Sequence, residues 1–265
     1  MEGGIAKRNQ KNRYMKRIVD AVGEDFELDG YFSAGLPRFV HKTSGIPFQF
    51  VPGGDFLMGF SEEEEHSAQA LSPVLQLNVE EMRPIQRRVV GPMLVSVSPI
   101  LNRQCFDEPG DFGSYSAYLT RDAALELAEK FGCRLPKESE WEYLYRAGTR
   151  TLFTFGNSLP SDDELEGWLS SNFESLARLR CNGFGLYGMT NPEWCQEQFT
   201  VSLADDATLL DGSYVIRGGG AYFWPWQDEE WVWCISAMRS PSSGLEEGEA
   251  CLRLVRDVSF IDAES

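Results

Sequence analysis

The clearest periodicity along the chain marks two amphipathic helices near its middle. In residues 121–131 the apolar positions fall on one helical face, and they are Ala124, Leu127, Ala128 and Phe131. Thr120 can accept hydrogen bonds from the free N-terminal amides, and Gly132 is a residue type that ends helices. In residues 138–147 the apolar stripe consists of Trp141, Leu144 and Tyr145, and Gly148 follows it. The pattern therefore predicts two helices joined by a short connection.

Short apolar runs outside these helices predict β-strands. Residues 47–60, PFQFVPGGDFLMGF, alternate apolar and polar positions around Gly53-Gly54, which predicts a hairpin or a tight turn. Residues 87–102 predict a further strand region that two prolines interrupt. Beyond residue 150, turns and short strands dominate. The predicted fold class is α+β, with two helices on short antiparallel strands and much irregular loop.

Charge dominates two segments that lack a strand pattern. Residues 61–73, SEEEEHSAQALSP, are acidic and without a period, so we expect an exposed loop. Residues 1–30 place a few apolar residues among Lys and Arg, which predicts an N-terminal helical arm. That arm is either a solvated helix or a docking element for a partner. We expect residues 31–265 to form a single domain, with its core in residues 47–256.

Composition narrows the classes of partner and compartment. The formal net charge is -17, whereas nucleic acids and anionic membranes are bound through Lys and Arg, so we expect neither as a partner. The N-terminus has no apolar signal region and no run reaches the ~18 apolar residues of a membrane span, so we expect a cytoplasmic protein. The six cysteines are widely scattered, and in a reducing compartment they are expected to be buried thiols.

Several blocks resemble, in order, the segments of one protein family. They are VPGGDFLMGF at 51–60, RLPKESEWEYLYRAG at 134–148, NGFGLYGM at 182–189, EWCQE at 193–197, VIRGGG at 215–220 and CLRLVR at 251–256. Together they resemble the formylglycine-generating enzyme (sulfatase-modifying factor) domain over residues 47–256. The resemblance implies a variant of the C-type lectin fold. One departure is Lys137, which replaces the threonine that caps the family's second helix, a loss of about 1 kcal/mol.

The family's founding chemistry is the copper-dependent oxidation of a substrate cysteine to formylglycine. The resemblance implies two copper-binding cysteines between the VIRGGG block and the arginine matched by Arg239. That interval contains only Cys234, at neither expected position, and Cys251 stands where the family has a glycine. One thiolate cannot form a two-thiolate Cu(I) site, so we expect a catalytically inactive protein. The alternative is a divergent metal- or thiol-dependent oxidoreductase that uses Cys234 or an unrecognised metal site.

Two other metal sites are suggested by the resemblance. A related branch, the ergothioneine-type sulfoxide synthases, binds non-haem iron through histidines. This chain has only His41 and His66, in different regions, so a facial triad is not expected. Calcium sites of the family use an asparagine that resembles Asn172 and main-chain oxygens after it, here Phe173; a plain turn is an equally good interpretation. We therefore expect no cofactor other than a structural calcium ion.

Arginines recur at the matched blocks, at positions 134, 217, 239 and 253. Arginine ties loops together because its planar fork donates to carboxylates and carbonyls in pairs. We expect Arg134, Arg217 and Arg253 to serve in this way. Arg239 lies nearer the groove that carries the family's chemistry, so a role in binding and a role in the fold are both open.

The densest aromatic region, residues 217–239, contains four of the seven tryptophans. Trp231, Trp233 and Ile235 alternate as in a strand, so part of this region is expected to pack inward. Residues 224–230, WPWQDEE, have no period and include three acids. That composition is typical of an exposed loop with aromatic anchors for a partner.

We predict that this aromatic-acidic loop binds a protein or peptide partner, with a small-molecule ligand as the alternative within the same hypothesis. The acidic surface favours a basic partner and steers its approach. The predicted partner-binding residues are Tyr222, Phe223, Trp224, Trp226, Asp228, Glu229, Trp231, Trp233 and Arg239.

Overall fold

Short antiparallel strands dominate the part of the chain that the structure, a computed structural model, describes. The described residues are 13–74, 76–106, 113, 115–161, 181–189, 191–219, 230–246 and 248–260. In chain order the strands are β1 (Phe26–Tyr31), β2 (Pro37–His41), β3 (Pro47–Val51), β4 (Gly54–Met58), β5 (Gln86–Val90), β6 (Met93–Ser96), β7 (Glu193–Thr200), β8 (Leu209–Arg217), β9 (Arg239–Ser242) and β10 (Val255–Asp257).

These strands form three sheets within the described residues. The largest has the order β1-β2-β3-β6-β10, the second pairs β4 with β5, and the third has the order β7-β8-β9. Every one of these pairs is antiparallel. The centre of the largest sheet is apolar, because Phe48, Phe50 and Leu94 are fully buried there.

The helices of the described chain are α1 (residues 13–22), α2 (Glu62–Leu71), α3 (Asn102–Cys105), α4 (Arg121–Lys130) and α5 (Glu138–Arg146). Short 3-10 segments cover Val79–Met82 and Glu230–Cys234. The two helices predicted from periodicity are α4 and α5, and both are confirmed. Thr120 Oγ1 accepts a hydrogen bond from the Ala123 amide at 3.3 Å, and Gly132 ends the segment with a φ of 61°. The α+β class is likewise confirmed.

The acidic segment 61–73 is a helix, and the expectation of an exposed loop was wrong. Ser61 Oγ accepts from the Glu64 amide at 3.2 Å, and Glu64 Oε2 accepts from the Ser61 amide at 2.9 Å, which forms a capping box. Four glutamates lie in the first turn, where the partial positive charge of the helix N-terminus stabilises them. The Glu64 carboxylate is buried against Arg146 and Arg150, so it is not a solvated charge.

Residues 47–60 form two strands that belong to different sheets, so this segment is a tight turn and not a hairpin. β3 pairs with β6, whereas β4 pairs with β5. A side chain at Gly53 is excluded because its Cβ would lie 2.6 Å from the Val90 carbonyl oxygen. The glycine therefore allows the chain to leave one sheet and enter the next against β5.

The described part of the predicted N-terminal arm packs into the domain, and the proposed boundary at residue 30 falls inside β1. Ile18 and Val22 of α1 are buried in the same apolar cluster as Phe48. The Tyr14 and Phe260 rings lie 6.2 Å apart, which joins α1 to the C-terminal segment. Apolar burial of this kind fixes a helix against its domain, so residues 13–30 are an integral part of the fold.

Candidate functional site

Helix α5 supports the region where the family resemblance places its active groove. Trp141, Leu144 and Tyr145 are fully buried, as their spacing predicted. Two carboxylates replace the missing threonine at its N-terminus. Glu140 Oε2 accepts from the Lys137 amide, and Glu197 Oε2 accepts from the Glu138 amide, each at 2.8 Å. The loss of cap stability expected from Lys137 is therefore compensated from β7.

Glu138 binds two arginines and joins α5 to β8 and β9. Arg217 Nη1 donates to Glu138 Oε1 at 2.9 Å, and Arg217 Nη2 donates to Glu142 Oε2 at 2.7 Å. Arg239 Nε and Nη2 donate to the two Glu138 oxygens at 2.5 and 3.0 Å. Arg239 Nη1 also donates to the Thr200 carbonyl at 2.9 Å. Arg239 thus binds Glu138 in a bidentate way, and Arg217 bridges the carboxylates of Glu138 and Glu142. Because all of these side chains are buried, the bonds fix the ends of two strands against one helix.

Ion pairing continues inward through Glu142, Arg146 and Glu64. Arg146 Nε donates to Glu142 Oε1 at 2.8 Å, and Arg146 Nη1 donates to Glu64 Oε1 at 2.6 Å. Burial by itself would raise the pKa of the Glu142 carboxyl, but Arg146 and Arg217 hold that pKa below its usual value. Each buried charge is thus compensated within the chain.

A second buried ion pair joins Arg253, two residues before β10, to Glu193 at the start of β7. Arg253 Nε and Nη2 donate to the Glu193 carboxylate at 2.9 and 2.6 Å, and both side chains are fully buried. Trp141 Nε1 donates to the same carboxylate at 2.9 Å. Arg134 forms a further bidentate pair with Glu140. Structural roles for Arg134, Arg217 and Arg253 are therefore supported.

Residues 217–219 are here called the RGG turn. Its two glycines approach neighbouring segments too closely to carry a side chain. A Cβ on Gly218, whose φ is 86°, would lie 2.1 Å from the Asn191 carbonyl oxygen. A Cβ on Gly219 would lie 2.3 Å from Cys234 Sγ. The two glycines thus allow the turn to pack directly against Asn191 on one side and against residues 233–234 on the other.

An open groove of about 300 Å³ lies beside the RGG turn. Its lining residues are Pro192, Ile216, Gly218, Trp233, Ser240, Pro241 and Glu249. Trp233 is 45% exposed although its neighbours Trp231 and Cys234 are buried. Ser242 Oγ donates to Glu249 Oε2, which orients the carboxylate. The groove therefore combines one exposed indole and one carboxylate in a lining of mixed polarity.

The predicted partner-binding residues separate into three groups. Trp233 lines the groove. Trp231 is 2% exposed and packs against Phe153 with ring centroids 6.0 Å apart, so it is a core residue. Arg239 is also 2% exposed and its guanidinium is held within the fold, so its assignment to a binding surface is corrected to a structural role.

The other sequence-predicted site residues lie outside the described residues; they are Tyr222, Phe223, Trp224, Trp226, Asp228 and Glu229, together with the calcium candidates Asn172 and Phe173. Glu249 was missed by sequence reasoning. It enters the groove only through tertiary structure, because a loop after β9 returns it to Trp233, and no local pattern marks it.

The cysteines do not fit the family's two-thiolate copper site within the described chain. None of the six forms a disulfide bond, and Cys234 is the single cysteine between Arg217 and Arg239, buried with its sulfur against Gly219. Burial raises the pKa of Cys195 and Cys251 well above the usual value. Burial also raises the pKa of Cys105 and Cys133 to about 11. In all four cases burial is the largest cause, because a buried environment disfavours the charged thiolate.

Histidine and carboxylate groups give no metal cluster either, as far as the described residues extend. No group of three His, Cys, Asp or Glu side chains there could hold an ion. His41 Nδ1 lies 2.8 Å from Ser44 Oγ, and the His41 ring packs against Phe26 and Phe131. Among the helices of the described chain, none is long and apolar enough to cross a bilayer.

Comparison with known proteins identifies solved structures with the same fold. Two of them are described here. PvdO from Pseudomonas aeruginosa is 18% identical with a TM-score of 0.57, and the match covers 82% of this chain and 96% of that chain. Treponema denticola variable protein 1 is 14% identical with a TM-score of 0.52, and the match covers 80% of this chain and 96% of that chain. No curated protein sequence matches the chain. The model of the sulfatase-modifying factor enzyme 1-like domain matches residues 111–258, more than half of the sequence, and the chain belongs to that family.

Proposed function

We propose that this protein is a catalytically inactive member of the sulfatase-modifying factor family that binds a protein or peptide partner. The binding surface comprises the groove and residues 222–233, here called the aromatic segment. The observation that carries the proposal is the exposure of Trp233 at the groove, because tryptophan is enriched among the residues that anchor protein partners.

The chemistry of the thiols supports loss of catalysis. A copper site of the family needs two thiolates, and the interval that would supply them holds Cys234 alone. Cys251, the other nearby cysteine, donates its thiol hydrogen to the Pro192 carbonyl oxygen at 2.9 Å. The thiol of Cys251 is therefore buried and hydrogen-bonded within the fold, and it does not face the groove lining.

The charge of the chain supports a basic partner. A net charge of -17 attracts cations at long range, and the sequence of the aromatic segment contains three acids. The six cysteines form no disulfide bond, which supports a cytoplasmic location, since thiols persist in a reducing compartment.

Selection of peptides from a random display library on the purified protein tests the binding function. We expect recovered peptides to be enriched in Lys and Arg and to bind the wild type. The double variant Trp224→Ala/Trp226→Ala should lose at least about tenfold in affinity, as hot-spot truncation does. The matched control is Leu57→Ala/Val89→Ala, which removes exposed apolar side chains on the remote β4–β5 sheet. Equal binding by both double variants would refute the assignment of the surface.

Metal analysis tests the loss of catalysis separately. The protein is purified without chelator and supplied with Cu(I), and copper is measured per chain. We expect substoichiometric copper that is the same in wild type and in Cys234→Ala. One tightly held copper per chain that disappears in Cys234→Ala would overturn the proposal and favour the divergent oxidoreductase.

A further inference from the structure

The groove has an internal chemical asymmetry that suggests what part of a partner it accepts. Its lining includes both the exposed indole of Trp233 and the Glu249 carboxylate. At about 300 Å³ the groove is at the lower end of the range for ligand pockets, roughly 300–1,000 Å³. It therefore has room for one long side chain and not for a folded segment.

Glu249 has no cationic partner among the described residues. Its recorded contact is the hydrogen bond from Ser242 Oγ to Oε2, which leaves the carboxylate oriented but its charge unpaired. Three buried acids near this region, Glu138, Glu142 and Glu193, are each bound to an arginine. Glu249 differs from these three, because no cation of the described structure is recorded beside its carboxylate.

We infer that the groove is a receptor for an arginine side chain of the partner, with Trp233 and Glu249 as its specificity-determining residues. A guanidinium can stack flat on an indole while its N–H fork donates to a carboxylate, and an ammonium cannot do both. Ser242 is a positioning residue because its hydroxyl donates to Glu249 Oε2 and so orients the carboxylate. This inference rests on the proposed function, since it names the group that the proposed site recognises.

A small probe isolates this subsite from the rest of the binding surface. N-acetyl-arginine amide carries the guanidinium, and N-acetyl-citrulline amide has nearly the same shape without the charge. Binding is followed by NMR through the indole N–H signal of Trp233, which is assigned by its loss in Trp233→Phe. We expect a saturable shift with the arginine probe, at an affinity about tenfold above that of the citrulline probe, the factor expected of a charge-assisted hydrogen bond.

Charge removal at Glu249 provides the decisive variant. Glu249→Gln keeps an oxygen that accepts from Ser242, so the fold is expected to be intact, and its affinity for the arginine probe should fall about tenfold to the citrulline level. Glu246→Gln, which removes an exposed acid close in sequence but outside the groove lining, is the matched control and should bind as the wild type does.

The outcomes separate this inference from the proposed function. Equal shifts with both probes, or equal affinities of Glu249→Gln and Glu246→Gln for the arginine probe, would overturn the inference even if library peptides bind. A discriminating arginine signal without any library peptide binding would overturn the proposed peptide function and leave the arginine subsite standing. If neither the arginine probe nor any library peptide binds, both the arginine subsite and the proposed peptide-binding function are refuted.

Discussion

Replacing Arg253 with methionine should destabilise the protein strongly, because the change leaves a carboxylate buried without its counter-ion. In the wild type Arg253 donates twice to Glu193, and both side chains are fully buried. Breaking a buried pair by removing one partner costs about 3–5 kcal/mol. For a domain of this size we expect a fall in the melting temperature of about 6–20 °C. Urea unfolding followed by circular dichroism measures the free energy directly.

The double variant Glu193→Gln/Arg253→Met identifies the cause. It removes both the arginine and the carboxylate that Arg253→Met alone leaves buried without a counter-ion. We therefore measure the unfolding free energy of the double variant in urea beside that of both single variants.

The double-mutant cycle supplies the result that would refute the reasoning. Since each single variant leaves a charge unpaired and the double variant leaves none, the double variant should cost less than the sum of the single costs, by about 1–3 kcal/mol. Additivity within ~0.5 kcal/mol would show that the Arg253–Glu193 pair is not energetically coupled.

Three further predictions concern other parts of the fold. Burial lowers the pKa of His41 below its usual value of 6.5, so the neutral ring stabilises the fold above that pH and the contribution is lost as pH falls through the folded-state value. His41→Gln should therefore flatten the dependence of unfolding free energy on pH between 7 and 5.5, and an unchanged slope would contradict this. Burial raises the pKa of Glu197; since its charged form is penalised, Glu197→Gln should match or exceed the wild type in urea at pH 8. Glu197→Ala removes the acceptor at the α5 N-terminus and should cost about 1 kcal/mol, so equal stability of the two variants would count against the cap. Gly219→Ala places a Cβ 2.3 Å from a buried sulfur and should cost about 1–3 kcal/mol, whereas Gly91→Ala meets nothing within 4 Å and should change thermal stability little. Equal losses for the two alanine variants would contradict the packing argument.

The sequence was sufficient for elements whose stability is local. Helix α4 could be predicted because its cap, apolar face and terminating glycine lie within thirteen consecutive residues. The stripe of Trp141, Leu144 and Tyr145 in α5 is equally local. The family blocks then implied a variant of the C-type lectin fold, which periodicity alone could not have done.

Sequence reasoning failed where a side chain depends on a distant partner. The four glutamates of α2 indicate a solvated loop by composition, yet the Glu64 carboxylate pairs with Arg146, which is 82 residues away. Arg239 likewise could be assigned either role until its bond to Glu138, 101 residues away, was known. Long-range ion pairs leave no local signal, since either charge alone is typical of a surface residue.

The same long-range pairs explain how this scaffold can change its groove without losing its fold. Arg217 is the first residue of the RGG turn, and Arg239 is the first residue of β9. Both are bound to Glu138 on α5. These bonds fix the two strand ends that carry the groove walls, and no thiol takes part in them. Side chains that face the groove, such as Glu249, can therefore vary while the turn keeps its position. For that reason groove variants are expected to fold, and a loss of arginine binding in Glu249→Gln reports on recognition and not on stability.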